Sequence, residues 1–179
     1  GRKMILTPPP VKELAAANGI KVYQPVKMKD GTALEMLKEA NPELCIVVAY
    51  GKILPKEILE YPKYGCINIH ASLLPKLRGA APIQWSVING FEKTGVTSMQ
   101  MDEGLDTGDM IYSEKIEIGE NETVGEVWDR LALLGGKLLV KTLDAIENGT
   151  APRIKQDDSL STYAAKIDRD ERKIDFSAD

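Results

Sequence analysis

The chain has 179 residues, 43% of them apolar and 28% charged, with a formal charge of −4, two cysteines and one histidine. That length and composition suit one folded domain with a sizeable core rather than a disordered chain. The two cysteines exclude a disulfide framework and a four-thiolate zinc site, no apolar run nears the ~18 residues that span a bilayer, and the mild negative charge makes no bulk electrostatic case for nucleic acid. The opening GRKMILTPPP lacks the pattern of a secretory n-region and h-region. All imidazole chemistry must run through His70, and a multi-histidine metal site is excluded.

Pro10 stands where the first turn of a helix accepts proline, the helix runs through Val11, Leu14 and Ala15, and Gly19 supplies the C′ residue. Residues 20–26, IKVYQPV, alternate enough for a short strand ended by Pro25. Residues 32–40, TALEMLKEA, predict a second helix with Leu34, Met36 and Leu37 inward, stopped by Asn41 and Pro42. The nearly continuous apolar run over 44–50, LCIVVAY, fits a central parallel strand covered on both faces. Pro55 opens a short helix, KEILE, and residues 65–69, GCINI, read as another buried strand.

Pro82 opens a helix, IQWSVIN, that Gly90 closes; residues 94–101, TGVTSMQM, form a strand followed by the loop DEGLDTGD. Residues 110–118, MIYSEKIEI, alternate as a half-exposed strand does. Thr123 and Glu126 have capping-box spacing and start a long helix that reaches about Glu147, with Gly149 behind it. Strands alternating with helices predict an α/β fold with a mostly parallel sheet. The chain opens on a helix feeding a strand, so the expectation is an excerpt whose first βαβ unit, ~30 residues, is missing in front. The stretch after Gly149 is irregular and is expected to lead into a linker. The run Asp168 to Lys173 reads as a solvated, ion-paired surface, beyond which only Ile174 and Phe176 alternate.

Several motifs fail. No G-x-G-x-x-G follows a strand. Gly135-Gly136-Lys137 lacks the earlier glycine of a P-loop and lies in an apolar helical pattern, where packing of the helix against the sheet explains it better. Cys45 and Cys66, both in expected buried strands, read as core filler. Ser72 has no G-x-S-x-G elbow, so a Ser72–His70–Asp106 hydrolase triad is set aside.

Residues 66–82, CINIHASLLPKLRGAAP, carry chemistry. Two positions apart on a strand, Asn68 and His70 share a face near its carboxyl end, where open α/β sheets place ligands. Asn68 offers an amide donor to a developing oxyanion, and His70 exchanges a proton near neutral pH. Pro75, Arg78, Gly79 and Pro82 then constrain the following loop. Parallel neighbouring strands are expected to bring the acidic loop over 102–109 beside His70, where a carboxylate orients the imidazole and favours its charged form. The competing account is a strand-end histidine and acids that cap a turn.

The stretches INIHASLLPKLRGAAPIQW and TGVTSMQMDEGLDTGDMI, with GRKMILTPPPVKEL and NPELCIVVAYGKILP before them, closely resemble the methionyl-tRNA formyltransferase family of folate-dependent enzymes. The resemblance implies a Rossmann-like formyltransferase domain over 1–155, incomplete at its N-terminus, with 156–179 as the end of the domain and the start of a linker. It implies Asn68, His70 and Asp106 as the catalytic set and places Ser72, Leu73, Leu74 and Pro75 along the folate site. The implied reaction moves the formyl group of 10-formyltetrahydrofolate to the α-amine of methionyl initiator tRNA, in the cytoplasm, without metal or membrane and with a monomer as the starting expectation. The opening Gly1-Arg2-Lys3 corresponds to the end of the family's basic, tRNA-entering loop. Glycinamide ribonucleotide or amino-sugar acceptors, water as acceptor, and a non-catalytic folate- or tRNA-binding module remain as alternatives.

Overall fold

The computed structural model describes residues 7–168, which fall into two compact units divided between Ala40 and Asn41. The basic opening Gly1-Arg2-Lys3, the charged run over 169–173, and Ile174 with Phe176 lie outside the described residues.

The first unit holds two helices. Helix α1, Pro10–Ala17, starts on Pro10 and ends on Asn18, with Gly19 in the left-handed conformation at φ 68°. Helix α2, Thr32–Ala40, buries Ala33 and half-buries Leu34, Met36 and Leu37. Between them, residues 20–26 are not a strand. Their alternation finds no neighbouring strand within this unit, and without a ladder an extended segment does not become a sheet.

In the second unit, β1 (Cys45–Val47) lies at the edge of a four-stranded sheet; α3 (Lys56–Leu59) leads to β2 (Cys66–His70). The short β3 (Arg78–Gly79) and α4 (Pro82–Ile88) precede β4 (Lys93–Gln100) and β5 (Met110–Glu117). Helix α5 (Val124–Glu147) follows, and β6 (Tyr163–Ala164) pairs in parallel with β3. The main sheet runs β1-β2-β4-β5.

This sheet is mixed, which corrects the expectation of a mostly parallel one: β1 and β2 are parallel, whereas β2–β4 and β4–β5 are antiparallel. The loop between β4 and β5 carries no helix, and a parallel connection needs a crossover of roughly a dozen residues or more. The central strand is also a different one. Residues 45–47 form an edge strand with Ile46 exposed, and β4 is buried along Thr94–Met99. Two of its hydroxyls are hydrogen-bonded internally, Thr97 Oγ1 donating to Ser72 O (2.7 Å) and Ser98 Oγ meeting Thr142 Oγ1 (2.9 Å), whereas the buried Thr94 hydroxyl has no partner among the described residues.

Helix α5 covers one face of the sheet. Its Val127, Leu131, Gly135, Leu138, Thr142 and Ala145 are buried at three- and four-residue spacing, so one stripe faces inward. The Thr123–Glu126 capping box is formed. A Cβ at Gly135 would lie 3.3 Å from Ile69 Cγ2, which confirms close helix–sheet packing as the reason for that glycine. Cys66 is wholly buried, but Cys45, opposite it in register on the edge strand, is only half-buried and is not core filler. The neighbouring Cys45 thiol, and then burial, push the Cys66 thiol far up. Among the described residues no helix is long and apolar enough to cross a membrane.

Candidate active site

Strand alternation sends Asn68 and His70 to one face of β2, and both reach the same carboxylate. Asn68 Nδ2 donates to Asp106 Oδ1 across 3.4 Å, and His70 Nδ1 faces Asp106 Oδ2 at 3.7 Å. His70 is 6% exposed and the Asp106 side chain 12%, so this is a sheltered ion pair whenever the imidazole is charged. The other ring nitrogen is committed: His70 Nε2 donates to Leu77 O at 2.9 Å, because a carbonyl can only accept. Nδ1 is therefore the nitrogen left to face the carboxylate.

The route of Asp106 to this point differs from the expected one. Because β4 runs antiparallel to β2, Gln100 pairs with Ile67 and the acidic loop departs at the amino end of β2, away from His70. It folds back. Asp102 Oδ1 accepts from Gly104 N (3.0 Å) and Thr107 Oγ1 (2.7 Å), and Asp106 takes a left-handed φ of 55°. A side chain at Gly108 would sit 1.7 Å from Gln100 O, so the return needs a glycine there. Gly79 N then donates to Asp106 Oδ2 at 2.8 Å. Gly79 has φ 114°, and a Cβ on it would lie 2.7 Å from Ala164 O.

The loop after His70 is equally constrained. Ser72 is wholly buried and its Oγ donates to Lys76 O (2.7 Å), so it is not poised as a nucleophile. Thr97 Oγ1 also accepts from Leu74 N (3.3 Å), and the Leu74–Pro75 peptide is cis. Leu74 is buried, while Leu73 and Pro75 are half-buried and offer an apolar wall.

The structure adds groups that the motifs do not mark. Residues 154–164 form a strap across the site. Ile154 exchanges backbone hydrogen bonds with Met110 (2.8 and 2.9 Å), and Thr162 takes the amides of Leu77 through its Oγ1 and of Arg78 through its carbonyl, both at 2.9 Å. Gln156 Nε2 donates to Asp106 O and to Gly108 O, each at 2.8 Å. Arg78 points into the strap, its Nη2 donating to Gln156 Oε1 and Asp158 Oδ1 at 2.8 Å. Residues 156–165 are thus hydrogen-bonded into the folded unit. Their partners lie 48 to 85 positions away, beyond any local pattern.

An amide, an imidazole and a carboxylate meet on the face of an α/β sheet, a set of groups chemically suited to acyl transfer. The chain belongs to the formyl transferase family, whose model matches residues 1–143. It is 54% identical over 177 residues to the methionyl-tRNA formyltransferase of Clostridioides difficile (strain 630), covering 99% of this chain and 57% of that protein. With the enzyme of the same name from Geobacter metallireducens it shares 51% over 176 residues, covering 98% and 57% of the two chains. The chain thus spans little more than half the length of these curated relatives. Among solved structures, the formyltransferase PseJ from Anoxybacillus kamchatkensis, in complex with a UDP-linked formamido sugar and tetrahydrofolate, has a TM-score of 0.71 at 27% identity. That match covers 90% of this chain and 83% of PseJ.

Proposed function

We propose that this chain carries the catalytic centre that transfers a formyl group from 10-formyltetrahydrofolate to the α-amine of methionyl initiator tRNA. The observation that carries the reading is the meeting of Asn68, His70 Nδ1 and Asp106 in a chain more than half identical to methionyl-tRNA formyltransferases. The half-buried Leu73 and Pro75 beside buried Leu74 suit the flat face of a folate, with the loop 72–75 held by Thr97. The folate supplies a formyl carbon already activated for attack.

The amine forms a new C–N bond at the formyl carbon, and the carbonyl pair moves onto oxygen. The Asn68 amide and the protonated Nδ1 of His70 stabilise that oxygen. Leu77 O contributes by fixing the ring so that Nδ1 faces the reaction. Asp106 accepts the proton leaving the attacking ammonium, directly or through one water; the oxygen pair then re-forms the carbonyl, the bond from the formyl carbon to the folate nitrogen breaks, and Asp106 returns the proton to that nitrogen.

Single-turnover formylation by the full natural protein tests this, using Asn68→Ala, His70→Ala and Asp106→Ala. Near-normal chemistry in all three sinks the assignment. The acceptor is tested separately by offering methionyl initiator tRNA beside a nucleotide-linked amino sugar; preference for the sugar transfers the reading to the class that PseJ represents.

A further inference from the structure

Gln156 joins, through one side chain, the turn that carries Asp106 and the arginine of the loop after His70. Its two N–H groups go to Asp106 O and Gly108 O, each at 2.8 Å, and its Oε1 accepts from Arg78 Nε at 3.0 Å and Nη2 at 2.8 Å. All four contacts fix the sense of the amide. A flipped amide would set its N–H groups against a guanidinium, which only donates, and its oxygen against two carbonyls, which only accept. The Arg78 side chain is 11% exposed and is itself anchored by Asp158. From these contacts we infer that Gln156 is a positioning residue for formyl transfer, bracketing the left-handed turn at Asp106 so that its carboxylate faces His70. The inference rests on the reading of Asn68, His70 and Asp106 as the reacting set.

Two further observations separate a positioning role from general stapling. Asp106 sits at φ 55°, a backbone state that a non-glycine residue keeps only when its surroundings over-determine it. The bracket grips the carbonyl of that residue and the one two positions on. In addition, the same strap fixes the other side of the carboxylate: Ala80 N donates to Ala164 O (3.0 Å), holding the Gly79 segment whose N–H binds Asp106 Oδ2. The aim of the carboxylate is therefore set from residues 156–164, with no atom of Gln156 touching a reacting group.

The experiment is a double-mutant cycle on the full natural protein, comparing Gln156→Met, Asp106→Asn and the pair in single-turnover and steady-state formylation. Gln156→Met is expected to lower kcat by about ten- to a hundredfold, with both KM values within about threefold, as a misplaced group does. In the Asp106→Asn background the same change is expected to alter the rate by less than about twofold, because it acts through Asp106. A wild-type rate for Gln156→Met, an equal loss in both backgrounds, or a loss confined to KM overturns the inference. If Asp106→Asn alone runs at the wild-type rate, the reacting set itself is wrong and the inference falls with it. Should Gln156→Met fold poorly, Gln156→Glu keeps the length and the Arg78 acceptor but turns an oxygen toward the two carbonyls. Full activity in that variant also overturns the inference.

Discussion

Strand β2 and the strap over 154–164 reach one carboxylate by opposite means. In β2, Asn68 and His70 are placed by a ladder shared with two neighbouring strands, so their direction follows from period-two geometry. The strap has only a single turn of 3₁₀ helix at Asp158–Leu160 and the two-residue β6, and acts through a few individual hydrogen bonds. The proposed reacting groups thus stand on the regular element, and the carboxylate they meet is held by the irregular one. A ladder fixes the first by a repeated geometry, whereas the second depends on contacts that can each be removed singly.

Four substitutions sharpen or break that contrast. The largest effect is expected on β2 itself: Asn68→Ala removes an oxyanion donor and lowers kcat by roughly 10²–10³ in single turnover, with the thermal midpoint nearly unchanged. Next is Gly79→Ala, which forces a side chain into a left-handed position against Ala164 O. It is expected to cost more than about 1 kcal/mol in urea unfolding and to lower kcat as well, because the strap is displaced. Thr123→Ala is the control. It removes the N-cap of α5, far from any site contact, at about 1 kcal/mol, and should leave kcat unaltered; an equal kcat loss would show that global stability, not the strap, governs the rate.

The smallest effect concerns Asp157, whose carboxylate is held below its usual range by the Ser159 hydroxyl and then its backbone N–H. A depressed carboxylate contributes stability that is complete above the unfolded value of about 3.9 and is lost as pH falls through the lower folded value. Protection factors of the strap amides, referred to the intrinsic exchange rate at each pH, are expected to fall on acidification through that window, and Asp157→Asn to flatten the dependence. An unchanged profile in the variant would show that this carboxylate does not hold the strap.

Helix termini were legible because caps are local: Pro10, Pro82, Thr123 with Glu126, and the glycines at 19, 90 and 149 all stand where the structure uses them. Two strand readings differ from the structure: residues 20–26 alternate but join no ladder, and residues 44–50 supply a parallel strand that lies at an edge, whereas TGVTSMQ is covered and its Thr97 and Ser98 hydroxyls find internal partners. Hydropathy reports transfer from water, and a hydrogen-bonded threonine in a sheet escapes that measure. The convergence of Asn68, His70 and Asp106 followed from strand spacing and the family's motifs, but the route did not, since strand direction depends on pairing. Leu77 O, the Gly79 N–H and Gln156 were invisible because a backbone group has no residue signature and a contact across 50 positions leaves no period.

The bond from Gln156 to Asp106 also orders events in time. Fifty positions separate the two residues, so at ~5–20 residues per second a ribosome takes about 3–10 s to deliver the second after the first. For that interval the nascent chain already carries the strand with Asn68 and His70, while the turn at Asp106 has no bracket. The bracket on the Asp106 turn is consequently made later than the strand it faces, and a product that stops before residue 156 lacks it.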